Sequence, residues 1–81
     1  MKVHVQFHAQ LRDLVGLQAV DVDLAEDASV SELLQNVYAK FPALRAQDKN
    51  ILVGAGVEFV DRNHKLKPAE QISIMPPVQG G

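Results

Sequence analysis

The sequence predicts a two-layer α+β domain, one amphipathic helix packed on a mixed β-sheet. Three observations predict it. Apolar and polar residues alternate near both ends of the chain, at Val3, Val5, Phe7 and again at Ile72, Ile74. Between them lies one hydroxyl-capped segment with an apolar stripe of helical period. Only 81 residues are available, which fits one domain and one modest core.

The first strand is read from Val3, Val5 and Phe7, which alternate with Lys2, His4, Gln6 and His8. Leu11-Arg12-Asp13-Leu14-Val15-Gly16 is expected to be a turn region, punctuated by Gly16. Val20, Val22 and Leu24 alternate with Asp21 and Asp23, predicting a second strand paired with the first as a hairpin. Ser29-Val30-Ser31-Glu32 has the form of a capping box. Leu33, Val37 and Phe41 then recur every four residues, with Val30 and Leu34 beside them, so the helix is expected from about Val30 to Lys40. Pro42 ends it, because it disfavours helical geometry at Phe41 and has no N–H to donate. Arg45 to Asn50 reads as a polar loop. Ile51-Leu52-Val53 is expected to be a short strand, Gly54 and Gly56 a tight turn, Val57–Val60 a returning strand, and Asp61–His64 a turn. Ile72 and Ile74 mark the last strand.

Composition excludes several function classes. The chain is 47% hydrophobic and 22% charged, with net charge −2, which is ordinary globular composition. Its eight basic residues are scattered, which argues against nucleic acid. There is no cysteine, hence no disulfide, thiolate metal site or nucleophilic thiol. Met1-Lys2-Val3-His4 opens directly into the strand pattern without a signal-peptide block, and no apolar run approaches the ~18 residues of a membrane span. A cytoplasmic protein is the expectation.

Pro76-Pro77-Val78-Gln79-Gly80-Gly81 breaks the strand pattern. Two prolines favour a stiff, extended exit, and six residues reach at most ~20 Å from the domain. Gly80 and Gly81 make the tip slender enough to thread a narrow channel and present a carboxylate inside another protein. A carboxylate is a poor acyl donor until joined to a good leaving group such as AMP. A chain used this way needs no catalytic side chain, since partners supply positioning and activation.

Two segments carry a resemblance. Phe7-His8-Ala9-Gln10-Leu11-Arg12-Asp13-Leu14-Val15-Gly16 is similar to the opening Phe-Ala-x-x-Arg-Glu-Leu-x-Gly of the molybdopterin synthase small-subunit family. Met75-Pro76-Pro77-Val78-Gln79-Gly80-Gly81 is similar to its closing Pro-Pro-Val-x-Gly-Gly. The chain thus resembles that family of ubiquitin-like β-grasp sulfur carriers, related also to the thiamine-pathway carrier. It departs at Gly56, where the family often has Asn, and at Pro68-Ala69-Glu70-Gln71, where it usually has Asp-Gly-Asp-Glu. The resemblance implies a β-grasp domain over residues 1–75 and an extended tail over 76–81. It also implies a carrier that is not an enzyme by itself and binds no cofactor. Gly81, led in by Gly80, would accept AMP and then sulfur. The implied partners are an E1-like adenylating enzyme using ATP and magnesium, a sulfurtransferase, and the large subunit of molybdopterin synthase. A carrier for thiamine or cysteine synthesis, or a ubiquitin-like protein modifier, would share the Gly-Gly end.

Other residues read more plainly. His4 and His8, ~13 Å apart along one strand, are too distant to share a metal ion and are expected to be solvated. His64 shows no partner. Asp21 and Asp23 suggest edge protection. Arg12 suits either the tail, a partner's acidic group or a surface salt bridge. Met75 has the opposite parity to Ile72 and Ile74, so it leaves the core at the base of the tail. Together with Phe59, and with Pro76, Pro77 and Val78 of the tail, it forms the expected partner-binding surface.

Overall fold

Alternation in the sequence becomes a five-stranded sheet in the computed structural model, which describes residues 1–77. The strands are β1 (Lys2–Phe7), β2 (Ala19–Asp23), β3 (Leu52–Ala55), β4 (Glu58–Val60) and β5 (Gln71–Met75), in the order β2-β1-β5-β3-β4. β1 and β5 run parallel at the centre, with Val5 beside Ile72 and Phe7 beside Ile74. All other pairings are antiparallel. Val3, Val5, Phe7, Val22, Val53, Ile72 and Ile74 are buried on one face of this sheet.

Helix α2 (Val30–Lys40) has the expected bounds and covers that face with Val30, Leu33, Leu34, Val37 and Tyr38, all buried in one continuous core. Its start is satisfied from two sides. The Glu32 N–H donates to Ser29 Oγ at 3.3 Å. The Val30 and Ser31 N–H groups donate to the carbonyls of His64 and Arg62, each at 3.0 Å. The loop between β4 and β5 thus caps first-turn donors that a helix cannot bond internally.

Three local expectations are corrected. The expected turn region from Leu11 to Gly16 is instead mostly helix α1 (Ala9–Val15), held down by buried Leu11 and by the His8 N–H bonded to the Ile74 carbonyl at 3.1 Å. Gly16, at φ 81, closes α1 by donating to the Arg12 carbonyl at 2.8 Å. β1 and β2 pair as expected, but α1 rather than a tight turn joins them. Pro42 both ends α2 and occupies the first turn of a short helix α3 (Pro42–Arg45), where its missing N–H costs nothing. Asp48–Asn50 adds a 3₁₀ turn, so Arg45 to Asn50 is not one irregular loop. Finally, Gly54 lies inside β3; only Gly56, at φ 62, makes the turn into β4.

Tyr38 is the buried residue with a polar end. Its hydroxyl donates to Asp48 Oδ1 at 2.5 Å, and Arg62 clamps Asp48 through Nη1 to Oδ1 and Nη2 to the backbone carbonyl, both at 2.9 Å. Burial, and secondarily the Asp48 carboxylate, push the Tyr38 hydroxyl well above the usual phenol range. The Tyr38 hydrogen bond and the Arg62 guanidinium hold Asp48 below the usual carboxylate range. No helix among the described residues is long and apolar enough to cross a membrane.

Candidate functional site

β5 carries the chain to its exit. Ile72 and Ile74 point into the core, so Gln71, Ser73 and Met75 point to the opposite, helix-free face. Met75 is half-buried there, opposite Leu52 of β3, and the half-buried prolines Pro76 and Pro77 follow it. The register also settles Phe59. It pairs with Gly54, which pairs in turn with Ser73, so Phe59 belongs to the same outer face. There it is 69% exposed. Met75 and Phe59 line one depression of about 100 Å³, with Gly54, Gly56, Val57 and Glu58.

The structure therefore brings two of the expected partner-binding residues, Met75 and Phe59, to one spot beside the tail's departure. It adds Leu52, 38% exposed, which the sequence reading left as an ordinary strand residue. Its parity relative to buried Val53 was the available signal. Val78, Gly80 and Gly81 lie outside the described residues, as does most of the expected 76–81 tail. Arg12 is exposed on α1, which begins at the end of β1 and packs against β5. Its guanidinium makes no ion pair with a described residue, so the salt-bridge option is not realised among them.

The histidines divide differently from expectation. His4 is not simply solvated: its Nδ1 stands 2.9 Å from Asp21 Oδ1, a surface pair on the outer face between β1 and edge strand β2. His64, expected without a partner, has one in Glu70, Nε2 to Oε2 at 3.2 Å. The other Glu70 oxygen accepts the Lys67 N–H at 3.0 Å, which closes the loop that caps α2. Another depression, about 460 Å³, lies at the end of the outer face away from Met75, around His4, Asp21 and Gln71. Among the described residues no three His, Asp or Glu side chains gather as a metal site would need.

Chemically, the outer face presents apolar contact area beside an outgoing backbone. That arrangement suits docking onto another protein that handles the tail.

The sequence profile of the ThiS family matches residues 5–81. The chain belongs to the ThiS family. Among relatives, the molybdopterin synthase sulfur carrier subunit of Escherichia coli (strain K12) is 33% identical, over 98% of this chain and 99% of that protein. Among solved structures, SAMP1 from Haloferax volcanii, a small archaeal modifier protein, matches with TM-score 0.89 at 25% identity, over 100% of both chains. A chain from the complex of subunits 1 and 2 of the molybdopterin-converting factor of Helicobacter pylori shares the fold at TM-score 0.73 and 22% identity, again over 100% of both. With these neighbours, the ThiS-family chain has the expected ubiquitin-like β-grasp fold: a mixed sheet packed on one main helix.

Proposed function

We propose that this ThiS-family protein is the sulfur carrier subunit of a molybdopterin synthase, and that its working group is the carboxylate of Gly81. The observation that carries the reading is the position of the exit: β5 delivers Pro76 and Pro77 beside an apolar surface of exposed Leu52 and Phe59 and half-buried Met75. A partner holding the tail is thereby given something to grip. Support comes from the Escherichia coli relative, which bears that subunit's name along nearly its whole length.

In this cycle an E1-like enzyme joins Gly81 to the AMP of ATP, with magnesium, and releases pyrophosphate. A sulfurtransferase persulfide then displaces AMP to give an acyl disulfide, and a thiol reductant cleaves its S–S bond to leave the thiocarboxylate. The loaded carrier docks on the large synthase subunit, where its one sulfur passes to a cyclic pyranopterin phosphate and water returns Gly81 to the carboxylate; two such deliveries supply the two sulfurs of the dithiolene. The carrier contributes no catalytic side chain; the partners position and activate its terminus.

A second reading, a ubiquitin-like modifier joined through Gly81 to target lysines, draws support from the likeness to SAMP1. Intact mass spectrometry of protein purified from its own cells separates the two. The carrier reading expects a species heavier by the difference between one sulfur and one oxygen atom, absent when Gly81 is deleted. Much heavier covalent conjugates in its place would favour the modifier.

A further inference from the structure

We propose that Gly54 is the floor of a socket that receives one aliphatic side chain of the large subunit. The proposal rests on the carrier reading above and specifies how that docking surface selects its partner.

Gly54 is not demanded by its backbone. Of the described glycines, Gly16 and Gly56 have positive φ, and Gly54 does not. Nor is it demanded by crowding. A Cβ built there meets Met75 Cε at 3.4 Å, the Glu58 carbonyl at 3.6 Å and Ser73 Cβ at 3.9 Å. These are ordinary contacts, and the nearest is the flexible end of a methionine. Yet glycine inside a strand weakens it, since the unfolded chain gains freedom and no side chain packs. What the glycine does provide is space on the outer face, between Phe59 and Met75. The resulting depression of about 100 Å³ is walled by those two side chains.

Its size and setting specify the occupant. It is smaller than the ~150 Å³ cavity that accepts benzene, so a branched aliphatic chain suits it better than an aromatic ring. Glu58 stands at the rim, which favours a lysine or arginine next to the inserted side chain. Beyond Pro77 only four residues lead to Gly81, and they span at most ~14 Å. A protein that holds Gly81 in its active site therefore lies within reach of Met75 and the socket.

The test uses the full chain and the large subunit from the same organism. Calorimetric titration and thermal unfolding are measured for wild type, Gly54→Ala and Ser73→Ala. Ser73 neighbours Gly54 on the same face but does not floor the socket. The expected result is that Gly54→Ala melts at or above the wild-type temperature while its affinity falls at least about tenfold, or ~1.4 kcal/mol. Ser73→Ala should bind as wild type does. Unchanged affinity in Gly54→Ala overturns the socket. A clearly lower melting temperature also overturns it, by showing that the fold itself needs the glycine. Equal losses in both variants overturn its localisation. Absence of binding by wild type is a different result: it refutes the carrier reading on which the socket stands.

Discussion

Truncating Phe59 to alanine separates docking from folding by magnitude. An aromatic side chain buries ~150–250 Å² when fully covered. Phe59 is 69% exposed, so the fold hides roughly a third of it, about 60 Å² of ~200 Å². At ~25 cal/mol per Å² this contributes about 1.5 kcal/mol to folding. The remaining ~140 Å² is open to a partner and sets an upper bound near 3.5 kcal/mol on docking. Binding also costs orientational freedom and side-chain order, and alanine retains part of the contact, so the observable loss is smaller. We expect Phe59→Ala to weaken large-subunit binding by about 2 kcal/mol, roughly thirtyfold. Its unfolding free energy should fall by no more than about 1.5 kcal/mol. Calorimetric titration reads the first and urea unfolding the second. Undiminished affinity with a large loss of stability would place Phe59 in the fold's own packing and refute the argument.

Met75→Asp puts a charge into the same contact and should weaken binding by at least about tenfold with the circular dichroism spectrum unchanged; a collapsed fold would return Met75 to the core. Leu33→Ala empties a fully buried site under α2 and should cost about 2–4 kcal/mol in denaturant unfolding. A loss below 1 kcal/mol, about the size of a tolerated volume-conserving swap, would contradict the core assignment. Asp48→Asn tests the Tyr38–Asp48–Arg62 cluster by pH. Because the folded carboxyl is held below its usual value, its stabilisation is present above the unfolded value of ~3.9 and is lost as pH falls through the folded one. Both partners of the ion pair are partly exposed, so the variant should be less stable at pH 7 by at most about 1 kcal/mol. The gap should close in strong acid; one independent of pH would show that the charge is not what stabilises.

What the sequence made legible follows the length of each signal. α2 has a cap at Ser29, buried Val30, Leu33, Leu34 and Val37 at helical spacing and a stop at Pro42, so its bounds and all of its covered face but Tyr38 could be read directly. Met75's outward direction followed from two-residue parity with Ile72 and Ile74. α1 was not legible because it spans seven residues, buries only Leu11, and starts at His8 without a side-chain cap. What fixes its start is the His8 N–H bonded to the Ile74 carbonyl of β5, 66 residues later in the chain. Gly54 was misread as a turn because the neighbouring Gly56 is one, and nothing local distinguishes them. The His64–Glu70 pair spans a loop whose path depends on α2, so no spacing announced it. Tyr38 did offer a clue: a hydroxyl on the apolar stripe of a helix requires a buried partner, here Asp48.

The placement of β5 has a consequence for incomplete chains. It is the last strand described, yet it stands between β1 and β3 and bonds to both. A translation product or proteolytic fragment that stops before Gln71 leaves those two strands with a vacant lane between them. The sheet is then split and the core exposed, which makes the fragment prone to aggregation and proteolysis. Such fragments keep Leu52 and Phe59 but lack Met75 and every residue after it. The same strand that makes the sheet whole thus makes folding wait for the segment that also carries Met75.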